Sequence, residues 1–495
     1  MTDSAKAKRN SHIRYWLIWL FFILMISADL SFSYMQYANQ PLDGDIAGGV
    51  VPAEDVERIF KDPFGIGVIT QNNPHPNPNR YFSHLSFRDY MREAPLILQN
   101  FLNPIESIYA SAGIIKLLLH GVLLFLLASI ITGVKSIFRL KYLVGILLLI
   151  PLFQTEGYGD YMGIIHKSTT YIFFYSLPLV LFMLYAYALY HSCYKNSKKK
   201  SNALIIIFLT ALTLILPFSG PLIPPLILIL SASTLFHFGR VQFSKTRSSR
   251  LLIKTLHLIP SGLVLFISAA CLLSIYSLFL GLHNSTFHGE TVPLLERYSR
   301  LAYGLLEQFT NKLGLPILLL IIGINTILIK RFLDQKTVYN VIFILKWMGV
   351  LSVIYIILLP LGGYRPSRPN ILRFDTIMPI TVSLILIYGR TSLYLIHHFS
   401  SNSKKVYIGL IFLISAIFMN ADRSSFNQNL AEKNALYQIA NTDEPVVHIN
   451  PNCLLLSWEP IYNPNDSELN AELLLMWNIT DSKKLYMNKQ ATQPE

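Results

Sequence analysis

The sequence predicts an all-α polytopic membrane protein with about eleven transmembrane helices, a long first outer loop with interfacial helices, and a small soluble outer domain at its C terminus. Three observations predict this. Of 495 residues, 52% are hydrophobic and only 14% are charged, and the mean hydropathy is +0.44, a balance typical of membrane-embedded chains. The apolar residues gather into runs near the length of about 20 residues that crosses a bilayer as a helix. The charged breaks between those runs alternate in sign. Basic breaks lie at Lys6/Lys8/Arg9/Arg14, Lys135/Arg139/Lys141, Lys195 to Lys200, Arg240 to Lys254, Lys330/Arg331/Lys336 and Lys404/Lys405; acidic segments cover 43–106, 156–160, 290–307 and 422–495. Lys and Arg near span ends stay cytoplasmic, whereas acids cross with little resistance, so the alternation reads as a topology with the N terminus cytoplasmic and the C terminus extracytoplasmic.

Taken in order, the spans are expected at 15–36, 112–134, 142–155, 170–192, 203–217, 221–238, 256–281, 314–330, 338–360, 375–396 and 406–420. Residues 1–28 share the basic start and apolar stretch of a secretory signal, but Leu30, Phe32, Tyr34 and Met35 prolong the run, so an uncleaved first helix is expected. The runs 203–217 and 221–238, broken by Pro217-Phe218-Ser219-Gly220-Pro221 and Pro224-Pro225, also fit a re-entrant hairpin, which is tolerated at depth when buried in protein. Of the 28 Asp and Glu residues, only Asp3 and Asp334 land on the expected cytoplasmic side. The division is then a membrane module over 1–420, including the first outer loop 37–111, and a C-terminal domain over 421–495.

Loop 37–111 far exceeds a helix connection, and connections of that length usually carry function. It opens on the glycine-rich turn Leu42-Asp43-Gly44-Asp45-Ile46-Ala47-Gly48-Gly49. A short helix follows over 52–60, with Pro in its first turn and acids near its positive end. Residues 71–80 are Asn/Pro-rich and extended; 86–111 alternate apolar and charged in the manner of an interfacial helix, as do 294–309. In the tail, Val446–Ile449 and Leu454–Trp458 are the segments expected to build a small α/β or β cap.

Several classes are excluded. The net charge of +13 sits in short loops beside apolar runs, where orientation explains it, so no nucleic-acid partner is expected. Cys193, Cys271 and Cys453 lie in three separate places, which gives neither a disulfide framework nor a zinc spacing. No P-loop, GxGxxG, HExxH or GxSxG in strand-turn-helix context occurs, which leaves no ATPase or soluble nucleotide-sugar fold.

The chemistry-bearing residues are therefore sought on the outer side. Asp43 and Asp45 flank a glycine that lets backbone approach a ligand; two carboxylates so placed suit a general base with its partner, a divalent cation, or an exposed turn. Tyr364, Arg365, Arg368 and Arg373 lie between the ninth and tenth spans. Arginines on the outer face oppose the positive-inside tendency, and Arg binds phosphate through a fork of donors; pairing with acidic loops or lipid headgroups is the plainer role. His166 and Lys167 follow the outer loop Tyr158-Gly159-Asp160-Tyr161 and suit a sugar or phosphate contact as well as interfacial anchoring. Asp29 is the one carboxylate within an apolar run. Asn284, Asn465 and Asn478 begin Asn-X-Ser/Thr tripeptides on the outer side.

One span, a long outer loop opening on an acidic pair, many further spans, an arginine-bearing outer loop and a soluble outer tail together resemble the GT-C superfamily of polyprenyl-phosphate-sugar-dependent glycosyltransferases. The likeness covers most of the chain as architecture; residue by residue it is confined to Asp43-Gly44-Asp45 and, more loosely, Arg365 to Asp375. It implies an inverting transfer of a hexose or pentose from a polyprenyl-phosphate donor to a glycan, lipid or protein acceptor at the outer face of a bacterial inner membrane, with membrane lipids around it. It further implies Asp45 as base, Asp43 as its partner or the alternative base, and Arg365, Arg368 and Arg373 as phosphate ligands, with Tyr364, His166 and Lys167 beside them. No cofactor or metal ligand is required, although a divalent cation is compatible. A polysaccharide polymerase or ligase, and a non-catalytic transport or assembly subunit, are the alternative classes.

Overall fold

The computed structural model describes residues 3–153, 164–195, 202–243, 255, 258–285, 292–311, 313–362, 370–424 and 426–490. Helix α1 (Asp3–Tyr37) leads into the long loop, which folds as α2 (Ile46–Val50), α3 (Glu54–Lys61), α4 (Ile66–Thr70) and α5 (Tyr81–Leu98). The bundle continues with α6 (Pro104–Thr132), α7 (Leu140–Leu149, prolonged by a 3-10 turn to Phe153), α8 (Thr169–Lys195), α9 (Ala203–Ile215, prolonged to Phe218), α10 (Ile223–Phe243) and α11 (Ser261–Gly281). After the surface helix α12 (Leu294–Thr310) come α13 (Gly314–Phe332), α14 (Gln335–Leu358), α15 (Phe374–His398) and α16 (Ser401–Ala421). Among the described residues nine helices are long and apolar enough to cross a membrane, and Leu140–Phe153 and Ala203–Phe218 are shorter apolar helices. This is the architecture expected of an all-helical polytopic membrane protein.

The helix ends follow local chemistry. The second span begins at Pro104, not 112, and the helix expected over 86–111 is two helices. Asn103 caps α6 by accepting from the Glu106 amide at 2.9 Å, and Pro104 takes the first helical position; a strong N-terminal signal overrides the apolar periodicity that ran through it. Gly133, at φ +69°, ends α6 in the left-handed conformation that favours glycine. Within α8, Ile172–Ser176 is a π-helical turn, a form that recurs at functional sites. It brings Phe173, Phe174 and Tyr175, one after another, onto the long loop: Phe173 packs on Phe87, Phe174 on His84, and Tyr175 lines a cavity.

The tail folds as α17 (Leu430–Asn441), β1 (Val446–Ile449), α18 (Glu468–Met476) and β2 (Leu485–Asn488). The strands pair in parallel, Val446 with Leu485 through Ile449 with Asn488, and the crossover that a parallel pair needs is made by α18. The expected second strand, Leu454–Trp458, is instead a turn: Leu456 sits at φ +47°, while Leu455 and Leu456 are buried. The tail also packs directly onto the long loop. Trp477, fully buried, donates its indole N–H to the Met91 carbonyl at 2.9 Å, and Gln99 donates to the Trp477 carbonyl at 2.7 Å. Asn429 and Lys433 add contacts to Ala38 and Glu106.

Candidate functional site

The turn that opens the long loop separates its two carboxylates. Asp43 points inward and is 5% exposed. It accepts from the Ser168 hydroxyl (2.9 Å), the Thr170 amide (3.0 Å), the Thr170 hydroxyl (2.5 Å) and the Asp45 amide (3.3 Å). Burial raises its pKa above the ordinary carboxylate value, with the Thr170 and Ser168 donors opposing that rise and Asp45 adding to it. Asp45 is exposed and begins α2 without a side-chain cap bond. The Trp458 indole N–H reaches across from the tail to its Oδ1 at 3.1 Å; among the described residues no donor meets Oδ2. Gly44 between them is required by that approach: a Cβ there would stand 2.6 Å from the Trp458 main-chain nitrogen and 2.7 Å from the Ser457 carbonyl carbon.

A third carboxylate closes the group. Glu432 of α17, 4% exposed, accepts from the Leu42 amide at 2.9 Å and the Tyr109 hydroxyl at 3.0 Å. Burial first, and Asp43 second, push its pKa up to about 8. The signal was present in the sequence: with Ala435, Leu436 and Ile439, Glu432 forms the buried stripe of α17, so a carboxylate stands on an apolar helical face. Among the described residues no three His, Cys, Asp or Glu side chains group as metal ligands. A divalent cation does not fit Asp43, whose oxygens are occupied by four donors.

The segment 166–175 ties this cluster to the arginine-bearing loop. The His166 ring stacks on Phe374 (centroids 4.5 Å, planes 5° apart) and on Tyr171 (5.0 Å). Its Nδ1 accepts from the Ser168 amide at 2.9 Å; burial, then Lys116 and Lys167, lower its pKa to about 3. His166 is thus a neutral ring with its remaining N–H on Nε2, not a cation. Lys167 is exposed, and its carbonyl accepts from the Lys116 ammonium. Lys116, 1% exposed, also donates to Gln40 at 2.9 Å. This lysine, which the sequence carries inside an apolar run, was legible as a buried cation.

Arg373 precedes α15. It pairs with the fully buried Asp375 at 2.5 Å and lines a cavity of about 550 Å³. Tyr364, Arg365 and Arg368 lie outside the described residues, as does the loop 158–161. Leu222, Leu228, Leu278, Leu282 and Leu358 form apolar walls of the cavity. Its polar lining comes from loops and helix starts: Asn79, Arg80, Asn370 and Arg373.

Arg80, like Glu432 and Lys116, was not singled out from the sequence. Its guanidinium lies over the rings of Phe174 (5.6 Å) and Tyr175 (5.9 Å), and among the described residues no carboxylate meets it. The turn 217–221 fixes it. Gly220, at φ +109°, donates its amide to the Asn79 carbonyl at 3.0 Å, and the Ser83 hydroxyl donates to the Ser219 carbonyl at 2.9 Å. Beside it, burial and Arg80 lower the His84 pKa to about 3. Elimination offered a sequence signal. Arg58 and Lys61 each follow a Glu by four residues and pair with it, and Arg88 pairs with Asp89, whereas no acid lies within eight residues of Arg80 on either side.

Comparison with known proteins finds no family model, no curated protein and no solved structure that matches this chain.

Proposed function

We propose that this chain is an inverting membrane glycosyltransferase that takes its sugar from a polyprenyl-phosphate donor, with the cavity holding the lipid phosphate. The observation that carries the reading is Arg80, a guanidinium with no carboxylate partner among the described residues, shared with Arg373 by a cavity whose walls are leucine. A charge kept partly from water calls for a counter-charge, and an isoprenoid chain with an anionic head supplies both the apolar body and the anion. The eleven apolar helices span the membrane, with the N terminus cytoplasmic and the tail on the outer face of a bacterial inner membrane.

The chemistry follows from the two carboxylates being held differently. Asp43 is saturated as an acceptor and holds segment 168–170 against the loop, which leaves Asp45 to take the proton of the acceptor hydroxyl. The hydroxyl oxygen then bonds to the anomeric carbon as the carbon–oxygen bond to phosphate breaks. The bonding pair leaves on the phosphate oxygen, where Arg80 and Arg373 neutralise it; the sequence-based candidates Arg365 and Arg368 remain proposed phosphate ligands. One displacement inverts the anomeric carbon. No metal is needed, since arginine supplies the positive charge.

Titration of the purified chain in nanodiscs with undecaprenyl phosphate tests this. Losing a charged phosphate contact in a desolvated site costs about 2–5 kcal/mol, so Arg80→Ala should bind at least about thirtyfold more weakly, with Arg80→Lys between it and the parent. Equal binding by Arg80→Ala and the parent refutes the assignment.

A further inference from the structure

Resting on that reading, we propose that the exposed face of Trp458 is the platform on which a carbohydrate acceptor stacks, with its reacting hydroxyl turned toward the Asp45 carboxylate. Trp458 belongs to a turn whose neighbours Leu455, Leu456 and Ile461 are buried, yet 54% of it is exposed. Among the described residues no other aromatic ring stacks on it. The fold holds the indole by its N–H, committed to Asp45 Oδ1 at 3.1 Å, and by its main chain and Cδ1, which lie against Gly44. An aromatic ring fixed by its edge offers a rigid face at small entropic cost.

The ligand chemistry follows from what stands beside that face. A pyranose ring presents a face of C–H bonds, which suits an aromatic plane, and a rim of hydroxyls, which suits a carboxylate. Asp45, at the edge of the indole, meets such a rim. The flanking residues Ser457, Glu459 and Asn463 are polar, so the surroundings suit a hydroxylated ligand and not an acyl chain, for which the leucine-walled cavity is available.

The test uses the full chain in nanodiscs and a panel of methyl glycosides and disaccharides of glucose, galactose, mannose, rhamnose and N-acetylglucosamine, with binding read by saturation-transfer NMR. The parent is expected to bind at least one member, and Trp458→Ala to weaken that binding about tenfold or more, as expected for a lost stacking face. Trp458→Phe, which keeps a face, should stay within about threefold. Trp458→Leu keeps apolar bulk without a ring and should behave like Trp458→Ala. Absence of binding by the parent, or parental binding by both the Ala and Leu variants, overturns the platform. Undecaprenyl phosphate is titrated into the same samples. Absent glycan binding by the parent with intact lipid-phosphate binding counts against the platform alone, whereas intact glycan binding with no lipid-phosphate binding by the parent counts against the donor reading.

Discussion

Glu432→Gln is the perturbation that isolates how the tail is held on the loop. The carboxyl is 4% exposed and its pKa is pushed from 4.5 to about 8, by burial and then by Asp43. A folded-state value above the unfolded one means that the docked tail binds the proton more tightly. The stability is therefore full below pH 4.5, falls as pH rises, and is lost once pH passes about 8. At 1.36 kcal/mol per unit the loss is about 3 kcal/mol by pH 7 and at most about 5 kcal/mol above pH 8. Asp43, also raised by burial, adds in the same direction. Glutamine keeps a carbonyl for the Leu42 amide and the Tyr109 hydroxyl but does not ionise. Hydrogen exchange of the tail amides, corrected for intrinsic rates and followed from pH 5 to 9, should show protection falling with pH in the parent and a much flatter profile in Glu432→Gln. Identical profiles, or parental protection that rises with pH, refute the reasoning.

Three further predictions concern the turn at 43–45. Asp45→Asn keeps the acceptor for the Trp458 N–H but removes the proton acceptor, so transfer should fall by roughly 10²–10⁴ with unchanged thermal stability; full activity in a transfer or glycan-complementation assay removes the base assignment. Asp43→Asn should instead lower thermal stability, because an amide nitrogen then faces the Ser168 and Thr170 donors. Gly44→Ala places a Cβ 2.6 Å from the Trp458 backbone, so the tail turn must shift, at a cost of about 1–3 kcal/mol; proteolysis within 454–462 should accelerate, and an unchanged cleavage rate contradicts the close approach.

The helical bundle was legible because spanning helices are set by average hydropathy over some twenty residues, a property that no distant contact alters. Each of the eleven expected runs coincides with an apolar helix, and Leu294–Thr310 differs from the expected 294–309 by one residue. What was not legible depends on residues far apart in the chain. β1 was found at Val446–Ile449, but its partner lies at Leu485–Asn488, and nothing local distinguishes that segment from Leu454–Trp458. Asp43 and Asp45 stood out together, yet only the arrival of Ser168, Thr170 and Trp458 gives them different surroundings. For Arg80 the lack of an acid within eight residues was readable locally, but its place over Phe174 and Tyr175 at a shared cavity depends on distant segments.

The brevity of α9 bears on the lipid around it. From Ala203 to Phe218 it extends about 25 Å, counting its 3-10 end, against a hydrocarbon thickness of about 30 Å. Leu204, Ile207 and Leu214 are exposed along it, so if it crosses the bilayer, as proposed, acyl chains would pack against a helix too short for them. A bilayer meets such mismatch by thinning locally, at fractions of a kcal/mol per ångström. Just past this helix lie Pro221 and Leu222, at the wall of the cavity. On the proposed reading, in which this helix crosses the bilayer, the headgroup plane would dip toward the cavity at this point of the perimeter, and a long-chain lipid drawn in from the side would carry its charge over a lower rim, at an elastic cost already borne by the surrounding leaflet.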